Sequence, residues 1–190
     1  MAVITVSRQY GTGGMTMGNH LAQRLGYTFV FREELARGCH ERGLDIDLDR
    51  MEGRAPNVIE RLFGVNPEKL RRALKETMEE AARAGGVVIG GWGSQVLLKD
   101  RSDALHIRVV GSNEARIHQL MESGGVTRSA AEDIVKNADR DQKLFSEYFF
   151  GVDFADPKLY HAVLNIERFS QDGMIDFIHA MLHEKTQAVS

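Results

Sequence analysis

The sequence contains a single cysteine, Cys39, so it cannot form an internal disulfide. It has no apolar run approaching the ~20 residues that span a bilayer, and its first residues lack the basic and apolar regions of a signal peptide. The formal net charge is only −3, which gives no electrostatic reason to expect nucleic acid as a partner. These absences predict a cytoplasmic protein that binds neither a membrane nor nucleic acid.

The chain has 190 residues, enough for one domain with a sizeable core. Hydrophobic residues make up 43% and charged residues 27%, as in ordinary soluble globular proteins. We find no repeat, low-complexity tract or interdomain linker. Residues 1–190 are therefore predicted to form a single domain.

Short apolar segments alternate with helical patterns along the chain. The predicted strands are residues 2–7, 28–31, 87–90, 105–110 and 160–166. Between them lie amphipathic patterns such as the stripe of Met17, Leu21 and Leu25, which Gly26 ends. Such alternation predicts an α/β fold with a mainly parallel five-stranded sheet and helices on both faces.

Three further segments complete the predicted frame. Residues 32–66 contain an insertion of mixed pattern, and residues 127–150 form a long charged helix, where Ser129 and Glu132 have the spacing of a capping box. The apolar stripe in residues 174–182 would be buried either against the domain or against a second copy, which leaves a homodimer open.

The segment VITVSRQYGTGGMTMG, residues 3–18, reads as a strand, a glycine-rich turn and the start of a helix. This order aims backbone N–H groups and a helix N-terminus at one point, which is a natural site for a phosphate. Ligands of open parallel sheets bind beyond the carboxyl ends of the strands. Residues 8–14 are therefore the predicted ligand site.

Three interpretations of this turn compete. A dinucleotide-binding G-x-G-x-x-G pattern counted from Gly11 places Thr16 at the last glycine. The phosphate-loop pattern G-x-x-x-x-G-K-[ST], with Gly13 as its last glycine, places Gly14 at the lysine and Met15 at the hydroxyl residue. The third interpretation is a turn without a ligand, and spacing alone leaves all three open.

A phosphate site needs positive charge, because phosphoryl transfer depends on stabilising spread negative charge. Arg8, at the mouth of the loop, is the nearest cation in the sequence. Thr16 can replace Met15 as a hydroxyl beside Mg²⁺ if the helix begins in a shifted register.

Four blocks extend the comparison over about residues 3–180: ITVSRQYGTGG, LAQRLGYTFVFREEL, GGVVIGGWGSQVLL and FFGVDFADPKLYHAVLNIERF. In order and spacing they resemble the cytidylate kinase-like family, a branch of the P-loop nucleoside monophosphate kinases. The first block is similar to the family opening S-R-x-Y-G-[ST]-G-G, which already has glycine where other P-loop kinases have lysine.

The resemblance implies a three-layer P-loop NTPase-like domain with a helical lid at residues 127–150. It implies ATP-dependent phosphoryl transfer to a nucleoside monophosphate of the cytidylate type, or to a related small acceptor, with ATP and Mg²⁺ as cofactors. The implied catalytic residues are Arg8 in the loop and, on the lid, Arg140 and Lys143. The implied cofactor-binding residues are Arg8, Gly11, Thr12, Gly13, Gly14, Met15 and Thr16, with Thr16 also contacting the metal.

The chain departs from the family pattern in two places. Gly91 stands where the family has an arginine that is implied to contact the acceptor phosphate. Arg32 stands where the family usually has an acidic residue, for which Glu33 or Glu34 would substitute. Gly91 and Met15 favour an alternative function, a non-catalytic nucleotide-binding or regulatory protein that keeps the kinase fold.

Each of two further residues has two alternative interpretations. The family often has an arginine near Arg116, which would cover the base of the donor nucleotide, and the other interpretation is a surface arginine. Trp92, the only tryptophan, either stacks on a base or packs against the sheet.

Overall fold

The computed structural model describes residues 2–46 and 64–188. Within these ranges the chain forms five strands, seven α-helices and one short 3₁₀ helix. In chain order they are β1 Val3–Arg8, α1 Gly14–Leu25, β2 Thr28–Val30, α2 Arg32–Glu41, α3 Pro67–Ala84, β3 Val87–Gly90, α4 Ser94–Leu97, β4 Ala104–Val110, α5 Asn113–Gly124, α6 Arg128–Phe150, the 3₁₀ helix Pro157–Leu159, β5 Ala162–Asn165 and α7 Gln171–Ala188.

The five strands form one parallel sheet in the order β2-β3-β1-β4-β5. This confirms the predicted sheet, and each predicted strand differs from the observed one by at most two residues at either end. Because β1 lies between β3 and β4, the turn that follows β1 lies beside the carboxyl ends of both neighbours.

Helices cover both faces of the sheet, which gives the three-layer arrangement. On one face α2, α3, α4 and α6 share a core cluster with β1, β2, β3 and β4. On the other face α1 and α7 pack on the sheet, where Leu21 and Ile178 are fully buried. The apolar stripe of α7 is therefore buried in the chain's own core, and it offers no argument for a second copy.

The ends of two helices test the predicted signals. Helix α1 ends at Leu25, and Gly26 caps it as the predicted stop, in the left-handed conformation with φ +65°. Helix α6 begins at Arg128, because the Thr127 hydroxyl accepts a hydrogen bond from the Ala130 N–H. The predicted capping box at Ser129 is thus wrong, since Ser129 already lies inside the first turn.

Part of the predicted insertion, residues 47–63, lies outside the described residues. In the described part of the insertion, α2 follows β2 directly and packs on α3. None of the described helices has the length and apolar character needed to cross a membrane.

Candidate functional site

Hydrogen bonds hold the glycine-rich turn between β1 and α1 in a defined conformation. Gly11 and Gly13 take left-handed conformations, with φ +83° and +68°, which glycine adopts without a steric penalty. The buried Thr12 hydroxyl donates to the Gln9 carbonyl oxygen at 2.8 Å, and the Gln9 side chain accepts from the Gly111 N–H at 3.1 Å. The loop thereby presents the first turn of α1, whose N–H groups have no intrahelical acceptor.

Packing explains why the lysine of the usual phosphate-loop pattern is missing. A Cβ atom at Gly14 would lie 2.9 Å from Arg8 Cβ and 3.2 Å from Val109 Cβ. No larger side chain fits there without displacing the strand ends. The loop can therefore supply backbone N–H groups at this position but no side-chain cation.

Met15 and Thr16 point in different directions. The Met15 side chain packs against the sheet, because its sulfur would lie 2.7 Å from a Cβ atom added to Gly90. Thr16, in contrast, is exposed in the first turn of α1. Of the two, only Thr16 has a side chain available to a ligand in solvent.

Two arginines lie beside the loop and share one aromatic ring. The Arg8 Cζ atom lies 5.7 Å from the centroid of the Phe31 ring, and the Arg32 Cζ atom lies 4.6 Å from it. Cation–π contacts of this kind help to hold guanidinium groups in place. Both arginines also line a concave feature beside the loop.

That feature is a cavity of about 510 Å³, within the range of small-molecule sites. It extends from the end of β1 to the inward face of α6. Its lining residues are Ser7, Arg8, Tyr10, Arg32, Gly91, Trp92, Asp133, Ile134, Asn137, Ala138, Asp141, Gln142, Phe145 and Phe154. The loop end of the cavity is cationic, whereas the α6 wall carries carboxylate and amide groups.

The segment after β3 explains the glycine at position 91. Gly91, Trp92 and Gly93 have φ values of +65°, +55° and +71°, a run of left-handed residues that disfavours arginine at position 91. A Cβ atom at Gly91 would lie 3.6 Å from Arg8 Nη1. The Arg8 guanidinium thus lies beside the point from which a side chain at position 91 would begin.

Trp92 is buried and packs edge-on against Phe145 of α6, with ring centroids 5.6 Å apart. It also belongs to the core cluster that covers this face of the sheet, as the packing interpretation predicts. Because the same residue lines the cavity, stacking on a base stays a prediction.

Neither proposed acidic substitute near Arg32 lines the cavity. The Glu34 carboxylate accepts a hydrogen bond from the Phe31 N–H at 3.0 Å and thereby caps α2. Glu33 is exposed on the same helix. At this corner of the cavity the lining side chain is the Arg32 cation.

Helix α6 is tied to the loop by hydrogen bonds that the sequence did not reveal. The Gln142 side-chain amide donates to the Arg8 carbonyl oxygen at 2.9 Å. Arg116, only 1% exposed, donates to the Tyr10 carbonyl oxygen at 3.2 Å and pairs with Asp139. Arg116 is therefore not a surface arginine, and it offers no open face on which a base could stack.

The structure does not bring the predicted lid cations to the cavity. Arg140 is 63% exposed and donates to Asp141 at 2.9 Å, and Lys143 is 62% exposed beside Glu147. Both lie outside the face of α6 that lines the cavity. Their catalytic role stays a prediction.

Among residues 2–46 and 64–188, no three histidine, cysteine or acidic side chains cluster as metal ligands. Magnesium commonly keeps several waters and binds through substrate phosphates, so one hydroxyl such as that of Thr16 suits it without a protein cage. The role of Thr16 at the metal is likewise a prediction.

Comparisons place this geometry among known proteins. A model of the cytidylate kinase-like family matches residues 3–168. Similar proteins include the cytidylate kinase of Pyrococcus horikoshii, 24% identical over 183 residues, covering 95% of this chain and 88% of the relative. The cytidylate kinase of Methanopyrus kandleri is 23% identical over 189 residues, covering 95% and 92%.

Solved structures show the fold. An uncharacterized protein from Eubacterium ventriosum aligns with a TM-score of 0.74 and 16% identity, over 96% of this chain and 99% of that one. Shikimate kinase from Bacteroides thetaiotaomicron aligns with a TM-score of 0.57 and 14% identity, over 96% and 98%. With the parallel sheet and its covering helices, these neighbours show a three-layer α/β P-loop fold. Because the family match extends over most of its length, the chain belongs to the cytidylate kinase-like family.

Proposed function

We propose that the protein transfers the terminal phosphate of ATP to a nucleoside monophosphate of the cytidylate type, or to a related small acceptor. The observation that carries this proposal is the junction between the phosphate loop and a cavity whose loop end holds Arg8 and Arg32. Family membership supports nucleotide kinase activity in general. The identity of the acceptor goes beyond that general activity and is the more specific part of the proposal.

On the donor side, the N–H groups of residues 11–15 would hold the ATP phosphates, together with Arg8. Thr16 would contribute a hydroxyl to Mg²⁺, which neutralises phosphate charge when bound. The Met15 side chain, partly buried against the sheet, leaves its backbone N–H for this purpose.

On the acceptor side, Arg8 and Arg32 would hold the acceptor phosphate next to the loop. An acceptor phosphate oxygen then forms a bond to the terminal phosphorus of ATP, while the bond from that phosphorus to the bridging oxygen breaks and ADP leaves. No covalent enzyme intermediate is needed, because positioning and charge stabilisation suffice. Arg8, at the junction of the two sites, would neutralise charge in both.

Arg140 and Lys143 would join the transferring phosphate from α6. Because both side chains are exposed beyond the cavity face, this contribution requires α6 to turn or shift toward the loop.

A phosphoryl-transfer assay tests the proposal, with ATP, Mg²⁺ and CMP, dCMP, UMP, AMP or GMP as acceptors. We expect ADP and a nucleoside diphosphate, with a cytidine nucleotide as the preferred acceptor. ATP should also raise the melting temperature, and Arg8→Ala should remove most of that increase. Absence of any increase at millimolar ATP and Mg²⁺ would contradict nucleotide binding.

A second candidate is a non-catalytic nucleotide-binding or regulatory protein. It is favoured by Met15, whose side chain packs on Gly90, and by the lack of an arginine at Gly91. Nucleotide binding with no product from any acceptor would support it. Under either candidate we propose a single cytoplasmic domain, and gel filtration with light scattering would show whether it forms a homodimer.

A further inference from the structure

Arg108 is a buried cation whose partners are all neutral. It lies in β4, only 5% exposed, and donates to the Ser7 hydroxyl at 2.9 Å, the Tyr160 hydroxyl at 3.3 Å and the Gln142 side-chain oxygen at 3.3 Å. Its Cζ atom lies 5.6 Å from the centroid of the Tyr160 ring. These contacts orient the guanidinium group without neutralising it.

Two other arginines, the buried Arg116 and the half-buried Arg101, are paired with carboxylates. Arg116 donates to Asp139 at 2.6 Å, and Arg101, in the turn that precedes β4, contacts Glu79 and Asp103. In the described part of the chain, no carboxylate lies within ion-pair distance of Arg108. Arginine does not lose its proton, so an uncompensated buried guanidinium costs folding free energy.

The position of Arg108 relative to the cavity suggests a function for its buried charge. Ser7 pairs with Arg108 across β1 and β4, and both Ser7 and Gln142 line the cavity. Arg108 thus lies directly behind the wall at the cationic loop end. The carboxylates of the cavity, Asp133 and Asp141, lie on α6, where Asp141 accepts a hydrogen bond from Arg140.

We infer that Arg108 is a buried counter-charge for the anionic group of the acceptor, held behind the Ser7 and Gln142 side chains. The identity of that anion as a nucleotide phosphate rests on the proposed function. Arg108 acts as a positioning residue, because it orients Ser7 and Gln142 and adds its field to that of Arg8 and Arg32. The cost of burying it is offset when the anion binds.

Arg108→Met removes the charge while keeping apolar volume. Tyr160 retains hydrogen bonds to the Phe154 carbonyl oxygen and from Gln95, so few groups lose every partner. We expect the acceptor KM to rise about tenfold, kcat to stay within about twofold, and the melting temperature to stay equal or rise. Arg108→Lys keeps the positive charge, so its acceptor KM should lie between those of Arg108→Met and the wild-type protein.

Arg101→Met is the matched control, because this arginine precedes the same strand but has carboxylate partners. It should lower the melting temperature and leave the acceptor KM unchanged. A purely structural role for Arg108 predicts the same behaviour for Arg108→Met, and that result, or failure of Arg108→Met to fold, would overturn the inference.

The inference can fail separately from the proposed function. If the wild-type protein phosphorylates an acceptor and Arg108→Met keeps its KM, only the inference is wrong. If the wild-type protein phosphorylates no acceptor, the inference is tested by the effect of inorganic phosphate on the melting temperature. A phosphate-induced rise in the wild-type protein and in Arg101→Met, but not in Arg108→Met, supports the anion site, whereas equal rises in all three contradict it.

Discussion

Arg116 donates hydrogen bonds to both carboxylate oxygens of Asp139, at 2.8 and 2.6 Å, and a further one to the Tyr10 carbonyl oxygen at 3.2 Å. A single buried side chain of α5 thereby joins the phosphate loop to α6. A Cβ atom at Gly11 would lie 3.2 Å from Arg116 Cβ, so the arginine also supports the loop by direct packing.

Asp139→Ala should destabilise the protein, because it leaves the Arg116 charge buried without its carboxylate. We expect the free energy of unfolding to fall by about 3 kcal/mol, measured by urea denaturation. The melting-temperature increase with ATP should also shrink, since the loop loses its tie to α6. Glu132→Ala, which breaks an exposed ion pair with Arg128 on the same helix, is the control and should cause no measurable change. Equal stability of the two variants would contradict the role given to Asp139.

Gly14→Ala should weaken ATP binding, because the new methyl group would press on Arg8 and Val109. We expect a loss of about 1–3 kcal/mol in unfolding free energy and a higher Kd for ATP by calorimetry. Gly14→Lys, which restores the usual phosphate-loop residue, should be worse still.

Gly124→Ala is the matched control for Gly14→Ala. Gly124 is also helical, but its added Cβ atom would meet only Val126, at 4.0 Å. This variant should keep both stability and ATP affinity. Tighter ATP binding by Gly14→Lys would show that packing is not the reason for the missing lysine.

Arg32→Ala should affect the acceptor and spare the donor. The side chain lines the cavity beside Phe31, so its loss should raise the acceptor KM about tenfold or more while the ATP KM stays unchanged. Steady-state kinetics with each substrate varied in turn measure the acceptor KM and the ATP KM separately. Arg37→Ala, an exposed arginine on the same helix, should change neither KM. A rise in the ATP KM alone would assign Arg32 to the donor site instead.

The Cys39 thiol should make stability depend on alkaline pH. Burial raises the pKa of Cys39 from 9.0 to about 11, despite the opposing effect of Arg42. The folded state therefore holds the proton that the unfolded state releases, so this contribution is fully present below pH 9 and is lost as the pH rises toward 11. The loss should reach about 2–3 kcal/mol.

Urea denaturation at several pH values between 8 and 11 measures this loss. Cys39→Ala provides the comparison, because it lacks the titrating group and should show a smaller decrease over the same interval. A native thiol that reacts with Ellman's reagent at pH 8 as fast as an unfolded one would contradict the burial argument.

Local sequence patterns predicted the strands and the loop well. Each strand is a short apolar segment bounded by turn residues, and the glycines at 11 and 13 mark a turn in which both take left-handed conformations. The capping residue of α6 was misplaced by two positions, at Ser129 in place of Thr127, because both are good capping residues. Nothing in the local pattern separates such close alternatives.

The side chains around the cavity were harder to predict, because their partners are distant in sequence. Arg108 and Ser7 are 101 residues apart, and Arg116 and Asp139 are 23 apart, so neither pair follows a helical or strand period. The reason for Gly14 depends in part on Val109, which reaches it only through the pairing of β1 with β4. The family pattern indicated a glycine at position 14, but only the packing supplied its cause.

The absence of a charged side chain between residues 9 and 19 also decides how this loop responds to chemical probes. Acyl-phosphate nucleotide reagents, which acylate an amine beside bound phosphates, find no lysine to label in this loop. Arginine-directed dicarbonyl reagents would instead report on the loop, through Arg8 at its mouth. Surveys that identify nucleotide-binding proteins by lysine labelling would therefore overlook this loop, even when it is fully occupied.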